Sequence, residues 1–127
     1  MALYTTYLGF LQRHTNFHPS RVLPEGAELV YVMKGRGNKA IEPPAMVLRL
    51  LKEKAITWKG FKAAYLDSLN NCDSRMWMQR LVAPRCAEKN VVFVCYEKAE
   101  DKHCHRFLLA EVMAKDYGVQ YLGELKA

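Results

Sequence analysis

The chain has no hydrophobic run approaching the roughly 20 residues that cross a bilayer, no Cys-x-x-Cys pair, no internal repeat and no low-complexity tail. It also lacks the Walker A and dinucleotide fingerprints: its one glycine-basic stretch, Lys34-Gly35-Arg36-Gly37-Asn38-Lys39, matches neither. Met1 to Phe10 has neither the basic start nor the long apolar core of a signal peptide. These absences argue against a membrane protein and against a secreted disulfide scaffold. The expectation is therefore a cytoplasmic protein with reduced thiols, and its four cysteines (Cys72, Cys86, Cys95 and Cys104) are not a bridging framework.

What the chain does have suits one globular domain. Its 127 residues, half of them hydrophobic and a quarter charged, are enough for a core without staples. The net charge of +6 is concentrated. Between residues 34 and 62 lie Lys34, Arg36, Lys39, Arg49, Lys52, Lys54, Lys59 and Lys62, opposed by Glu42 and Glu53 alone, and the rest of the chain is neutral. A neutral body with one basic segment points to an anionic partner. The plainer reading is a pair of lysine-rich, solvated helix faces.

Tyr and Thr make residues 3 to 8 a first strand, and residues 13 to 26, broken by Pro19 and Pro24, a loop. Leu29 to Met33 is a short apolar strand, followed by residues 34 to 39 as a flexible basic loop suited to phosphate contacts. Pro43-Pro44 precedes a helix running to about Ala55. Thr57 caps another, whose Trp58, Phe61, Tyr65 and Leu69 form one apolar face that reads as core rather than as a base-stacking platform. Asp73 is a cap candidate for a shorter helix carrying Met76, Trp77 and Leu81, ending near Pro84.

The clearest unit is C-terminal. Residues 91 to 95 read as a buried strand, 96 to 102 as a polar loop and about 103 to 116 as a largely buried helix. Gly118 stands where a glycine cap is expected, and Val119 to Leu122 makes a further strand. This is a βαβ unit, whose strands should be parallel. The predicted fold is a single α/β domain over residues 1–127, with a mostly parallel sheet in a Rossmann-like three-layer arrangement. In such sheets ligands bind where strands end and helices begin. Cys95, Glu97, Cys104, His105 and Arg106 gather at that junction.

Cys95-Tyr96-Glu97-Lys98, followed by His103-Cys104-His105-Arg106-Phe107-Leu108-Leu109-Ala110-Glu111, resembles the C-terminal signature of the domain-of-unknown-function family 488. In that signature a strand ends in Cys-x-Glu, a short acidic loop follows, and Cys-His-Arg opens a helix. Tyr4-Thr5-Thr6-Tyr7-Leu8-Gly9 is similar to the aromatic, hydroxyl-rich first strand of one branch. The resemblance implies an α/β domain of bacteria, archaea or their viruses. It also implies that Cys95, Glu97, Cys104, His105 and Arg106 form an active or binding site.

Several chemistries fit these residue types. A helix N-terminus with Arg106 suits an anion, phosphate above all. Arg106 could instead pair with Glu97 and only hold the loop. Cys104, beside His105 and Arg106, is the better placed thiolate nucleophile, while Cys95 closes an apolar strand. The layout resembles cysteine-dependent phosphatases, but ten residues without a glycine separate Cys95 from Arg106, so no phosphate cradle is spelled out. Glu97 and His105 could exchange protons over a ligand. Zinc accepts Cys and His, yet this spacing is no standard zinc pattern, and no metal ligand is assigned.

The expectation is a phosphorylated ligand, a nucleotide or nucleic acid, bound and processed at this junction. Cys95, Glu97, Cys104 and His105 are the candidate reactive groups. Arg106, Tyr4, Thr6, Lys34, Arg36 and Lys39 are the candidate ligand contacts. No cofactor is indicated. The alternatives are a non-catalytic nucleic-acid-binding module using residues 34 to 62, and a protein-interaction module, such as a viral effector, in which the Cys-His-Arg cluster is structural.

Overall fold

The sheet is built around two interior strands, β1 (Leu3–Tyr7) and β3 (Val91–Cys95), flanked by β2 (Glu28–Tyr31) and β4 (Tyr121–Glu124) in the order β2-β3-β1-β4. All three pairings are parallel. The structure is a computed structural model that describes residues 1–15, 23–96, 98 and 102–126. All five residues of β3, Val-Val-Phe-Val-Cys, are buried. A continuous apolar run is what a strand covered on both faces requires. The α/β class and the parallel sheet expected from the sequence are present. β4 does not pair with β3, however, because β1 lies between them.

Among the described residues, six α-helices connect and cover these strands. α1 (Leu8–Thr15) follows β1 with no intervening loop, where the sequence suggested continued strand and then coil. α2 (Ala45–Lys52) starts after Pro44, and α3 (Trp58–Ser68) is capped by Thr57, whose hydroxyl accepts from Gly60 N–H at 3.2 Å. α4 (Cys72–Met76) takes its cap from Asn71, which accepts from Ser74 N–H at 2.8 Å, rather than from Asp73.

That helix does not stop near Pro84. It widens into a π-helical turn over Trp77–Val82 and continues as α5 (Ala83–Glu88). Proline has no N–H to donate, and its ring crowds the carbonyl four residues back. The wide turn, in which Ala83 N–H reaches the Met78 carbonyl, accommodates both.

α6 (His105–Tyr117) packs against β1, β3, β4 and α3, and seven of its thirteen residues are buried. Each large apolar side chain it buries contributes roughly 1.5–3 kcal/mol. Gly118 ends it in the left-handed conformation (φ 68°), as expected. The basic stretch after β2 is a closed turn, not a loose loop. Arg36 and Gly37 N–H both return to the Met33 carbonyl, at 3.2 and 2.9 Å, and Gly35 N–H donates to Glu42 at 2.8 Å. A Cβ on Gly37 would lie 2.6 Å from the Tyr31 carbonyl oxygen, so only glycine fits there. Among the described residues no helix is long and apolar enough to cross a membrane.

Candidate functional site

The topology marks one place on the sheet. The chain leaving β1 reaches β2 on the far side of β3, and the chain leaving β3 reaches β4 on the far side of β1. Neighbouring strands whose connections run in opposite directions make a switch point, with a crevice outside their carboxyl ends. Tyr7 and Cys95, the last residues of β1 and β3, are paired there.

Three side chains converge at this edge. The Cys95 and Cys104 sulfurs each lie 4.0 Å from His105 Nδ1, and the three atoms fall within 4.8 Å of one another. The imidazole is aimed by its other nitrogen, since His105 Nε2 is 2.6 Å from the Val32 carbonyl oxygen. A carbonyl can only accept, so Nε2 carries the proton and Nδ1 faces the sulfurs. Val32 is itself held at the end of β2 by donating to the Val94 carbonyl at 2.9 Å. The ring of Tyr65 stands edge-on to His105 at 5.6 Å while its hydroxyl donates to the Ile41 carbonyl at 2.7 Å.

The two thiols are unequal. A hydrogen bond from Cys95, opposed by burial and aided by His105 and Arg106, holds Cys104 well below the usual thiol range. The same hydrogen bond, given rather than received, and burial push Cys95 far above it. Within the pair, Cys104 takes the charge more readily and Cys95 keeps its proton.

Arg106 lies beside them, fully buried. Its Nε and Nη2 donate to the two Glu124 carboxylate oxygens at 3.2 and 2.6 Å, and its guanidinium lies 4.4 Å from the Phe107 ring centroid. Burial disfavours its charge, but Glu124 and the Cys104 sulfur together more than compensate, so its pKa stands above the ordinary guanidinium value.

A cavity of about 600 Å³ opens onto the sulfur–imidazole cluster. Lys34 and Lys52 lie along it, and Trp58, Phe61 and His103 supply ring surface. The Trp58 indole is half-buried and stacks on His103 at 4.5 Å and on Phe61 at 5.0 Å. A larger groove of about 930 Å³, between residues 34–45 and the helix after Ser68, has no cysteine or histidine among its described lining residues. The smaller cavity is the one that fronts the sulfur–imidazole cluster.

Of the residues singled out from the sequence, Cys95, Cys104 and His105 meet, with Arg106 adjoining and Lys34 on the same cavity. Glu97 lies outside the described residues. Arg36 lies over the Tyr31 ring at 4.8 Å, and Lys39 lines the larger groove. Strand pleating turns Tyr4 and Thr6 to the face opposite Leu3, Thr5 and Tyr7, and it is Tyr7 that pairs with Cys95. Glu124 and the Val32 carbonyl carry no signal in the sequence, because each enters the site through strand order or register, and Trp58, read from the sequence as core, is half-exposed on the cavity.

The model of the family described as the active DUF488-N3 subclade matches residues 37–117, well over half of the chain and including the three convergent side chains. No curated protein and no solved structure matches. The chain belongs to the DUF488 family, and within it to the N3 group.

Proposed function

We propose that this protein binds a phosphorylated ligand, a nucleotide or a nucleic-acid strand, in the cavity that fronts Cys95, Cys104 and His105, and acts on it there. The observation that carries the proposal is the company these residues keep. One cavity of about 600 Å³ combines the reactive trio, the ring surface of Trp58 and the ammonium groups of Lys34 and Lys52, with no Asp or Glu among its described lining residues. That volume suits a small-molecule ligand, and its mixture of apolar walls with a few charged groups is typical of ligand sites. A flat ring placed against Trp58 would leave a phosphate within reach of the lysines.

Within this scheme Cys104 is the reactive group, Cys95 stabilises it by hydrogen bonding, and His105 is fixed by Val32. Arg106, bound by Glu124, balances the sulfur charge from behind rather than meeting the ligand. The description of the matched subclade as active accords with a functional centre here.

The test is a fluorescence titration. Trp58 and Trp77 are the chain's two tryptophans, and Trp77 is buried against Phe93, so a Trp77→Phe background reports on the cavity. Nucleoside monophosphates should perturb the signal, and Lys34→Ala with Lys52→Ala should weaken binding at least roughly tenfold, or about 1.4 kcal/mol. A short oligonucleotide that binds tighter than the monomer, with a steep salt dependence, would identify a strand as the ligand. If neither probe binds at millimolar concentration, or if the lysine substitutions leave affinity unchanged, the proposal fails.

A further inference from the structure

We propose that Cys95, Cys104 and His105 hold a zinc ion, with a fourth coordination position open to the cavity. The distances come first. A point equidistant from three atoms spaced as these are lies roughly 2.3–2.5 Å from each, which matches a Zn–S bond and exceeds a Zn–N bond by a few tenths of an ångström. A contraction of a few tenths of an ångström around the ion completes the geometry.

The imidazole is the second observation. His105 is buried, and the partners of its Nδ1 are two sulfurs at 4.0 Å, the outer limit for a hydrogen bond to sulfur. Meanwhile Nε2 is engaged by a backbone carbonyl at 2.6 Å. A histidine whose remote N–H is locked to a carbonyl while its other nitrogen faces two sulfurs is the supporting arrangement that metal-bound histidines have.

Charge is consistent as well. Two thiolates neutralise the dication when the Cys95 proton leaves to solvent on binding. The nearby Arg106 is already answered by Glu124, so the ion meets no uncompensated cation. Among the described residues the cluster contains sulfur and nitrogen and no carboxylate, which favours zinc over magnesium or calcium.

All three residues also line the cavity, so a water or a ligand oxygen can complete the tetrahedron. Two cysteines, one histidine and an open position form a catalytic rather than a closed structural set. Zinc there would supply Lewis acidity toward a bound oxygen. The ion is held by the protein's own side chains, so it does not depend on whether a phosphorylated ligand binds; with zinc in place Cys104 is a ligand, and its role as reactive group belongs to the metal-free protein.

The experiment is a cobalt titration of the full chain after reduction and chelator treatment, followed by competition with zinc. One equivalent of cobalt should produce thiolate charge-transfer absorption and the intense visible bands of a tetrahedral ion, and zinc should abolish both. Cys95→Ser and Cys104→Ser should each weaken cobalt binding at least a hundredfold, while Cys72→Ser leaves it unchanged. X-ray absorption of the zinc-loaded wild-type chain keeps the test valid if a variant fails to fold. It should show two sulfurs at about 2.3 Å and one nitrogen at about 2.0 Å. The absence of tetrahedral bands, binding that survives both cysteine substitutions, or a coordination shell without sulfur would overturn the proposal.

Discussion

Replacing Glu124 by Gln tests what Arg106 does. The guanidinium is wholly buried, and its bidentate partner on β4 is only a quarter exposed. The amide keeps one acceptor and loses the charge, leaving a buried cation without its carboxylate. Breaking a fully buried pair costs about 3–5 kcal/mol. The partial exposure of Glu124 and the Phe107 ring against the guanidinium reduce this, so about 2–4 kcal/mol is expected. Urea denaturation reads it directly. With a slope of about 1–3 kcal/mol/M for a protein of this size, the midpoint should fall by roughly 1–2 M.

Two controls locate the cause. Glu53→Gln removes the partner of Arg49 from a pair whose side chains are 72% and 55% exposed, and should cost less than about 0.5 kcal/mol. Adding Arg106→Met to Glu124→Gln should recover at least half the loss, since the unpaired cation is then gone. A Glu124→Gln variant within about 0.5 kcal/mol of the parent would refute the assignment of Arg106 as a buried, internally neutralised cation.

Other substitutions probe the sheet and the wall of the site. Thr6 is buried and its hydroxyl has no hydrogen-bond partner among the described residues, so Thr6→Val should be neutral or stabilising by up to about 1 kcal/mol in a thermal melt. A clear loss on that change would mean that the hydroxyl is bound. Tyr65→Phe leaves the Ile41 carbonyl unpaired in the core and should cost about 1–3 kcal/mol by chemical denaturation, whereas an unchanged midpoint would argue against that hydrogen bond.

Much of this fold is local, and local features are legible in sequence. The Val91–Cys95 run, the Thr57 cap and the Gly118 terminus each announce themselves by residue type. The meeting of Cys95 with Cys104 and His105 follows from one strand, one loop and one helix. What was not legible depends on neighbours distant in sequence. Glu124 reaches Arg106 because β4 lies against β1 in the sheet, and no pattern in either segment encodes that order. The face taken by Tyr4 and Thr6 depends on register with β3.

Asn71 and Asp73 are both good caps, and only the packing of Ser74, which donates its hydroxyl to the Ala40 carbonyl, separates them. Pro84 looked like a stop, but the helix absorbs it through a wider turn. The zinc reading also needed three dimensions. The ligand spacing along the chain is unlike a standard zinc pattern, and only the fold brings the Sγ and Nδ1 atoms together.

The central claim is that Cys95, Cys104 and His105 form one centre in which Cys104 carries the charge. The most direct measurement is the iodoacetamide alkylation rate of Cys104 from pH 6 to pH 9, resolved by peptide mass spectrometry on reduced, chelator-treated protein. Because Cys104 is held below the usual thiol range, its thiolate is already formed at the acidic end, and the rate should be nearly constant across the interval. An ordinary thiol, with a pKa of about 8.5, would instead accelerate nearly tenfold per pH unit until close to that value. If Cys104 shows that rise, it is an unassisted thiol and the account of the site is contradicted.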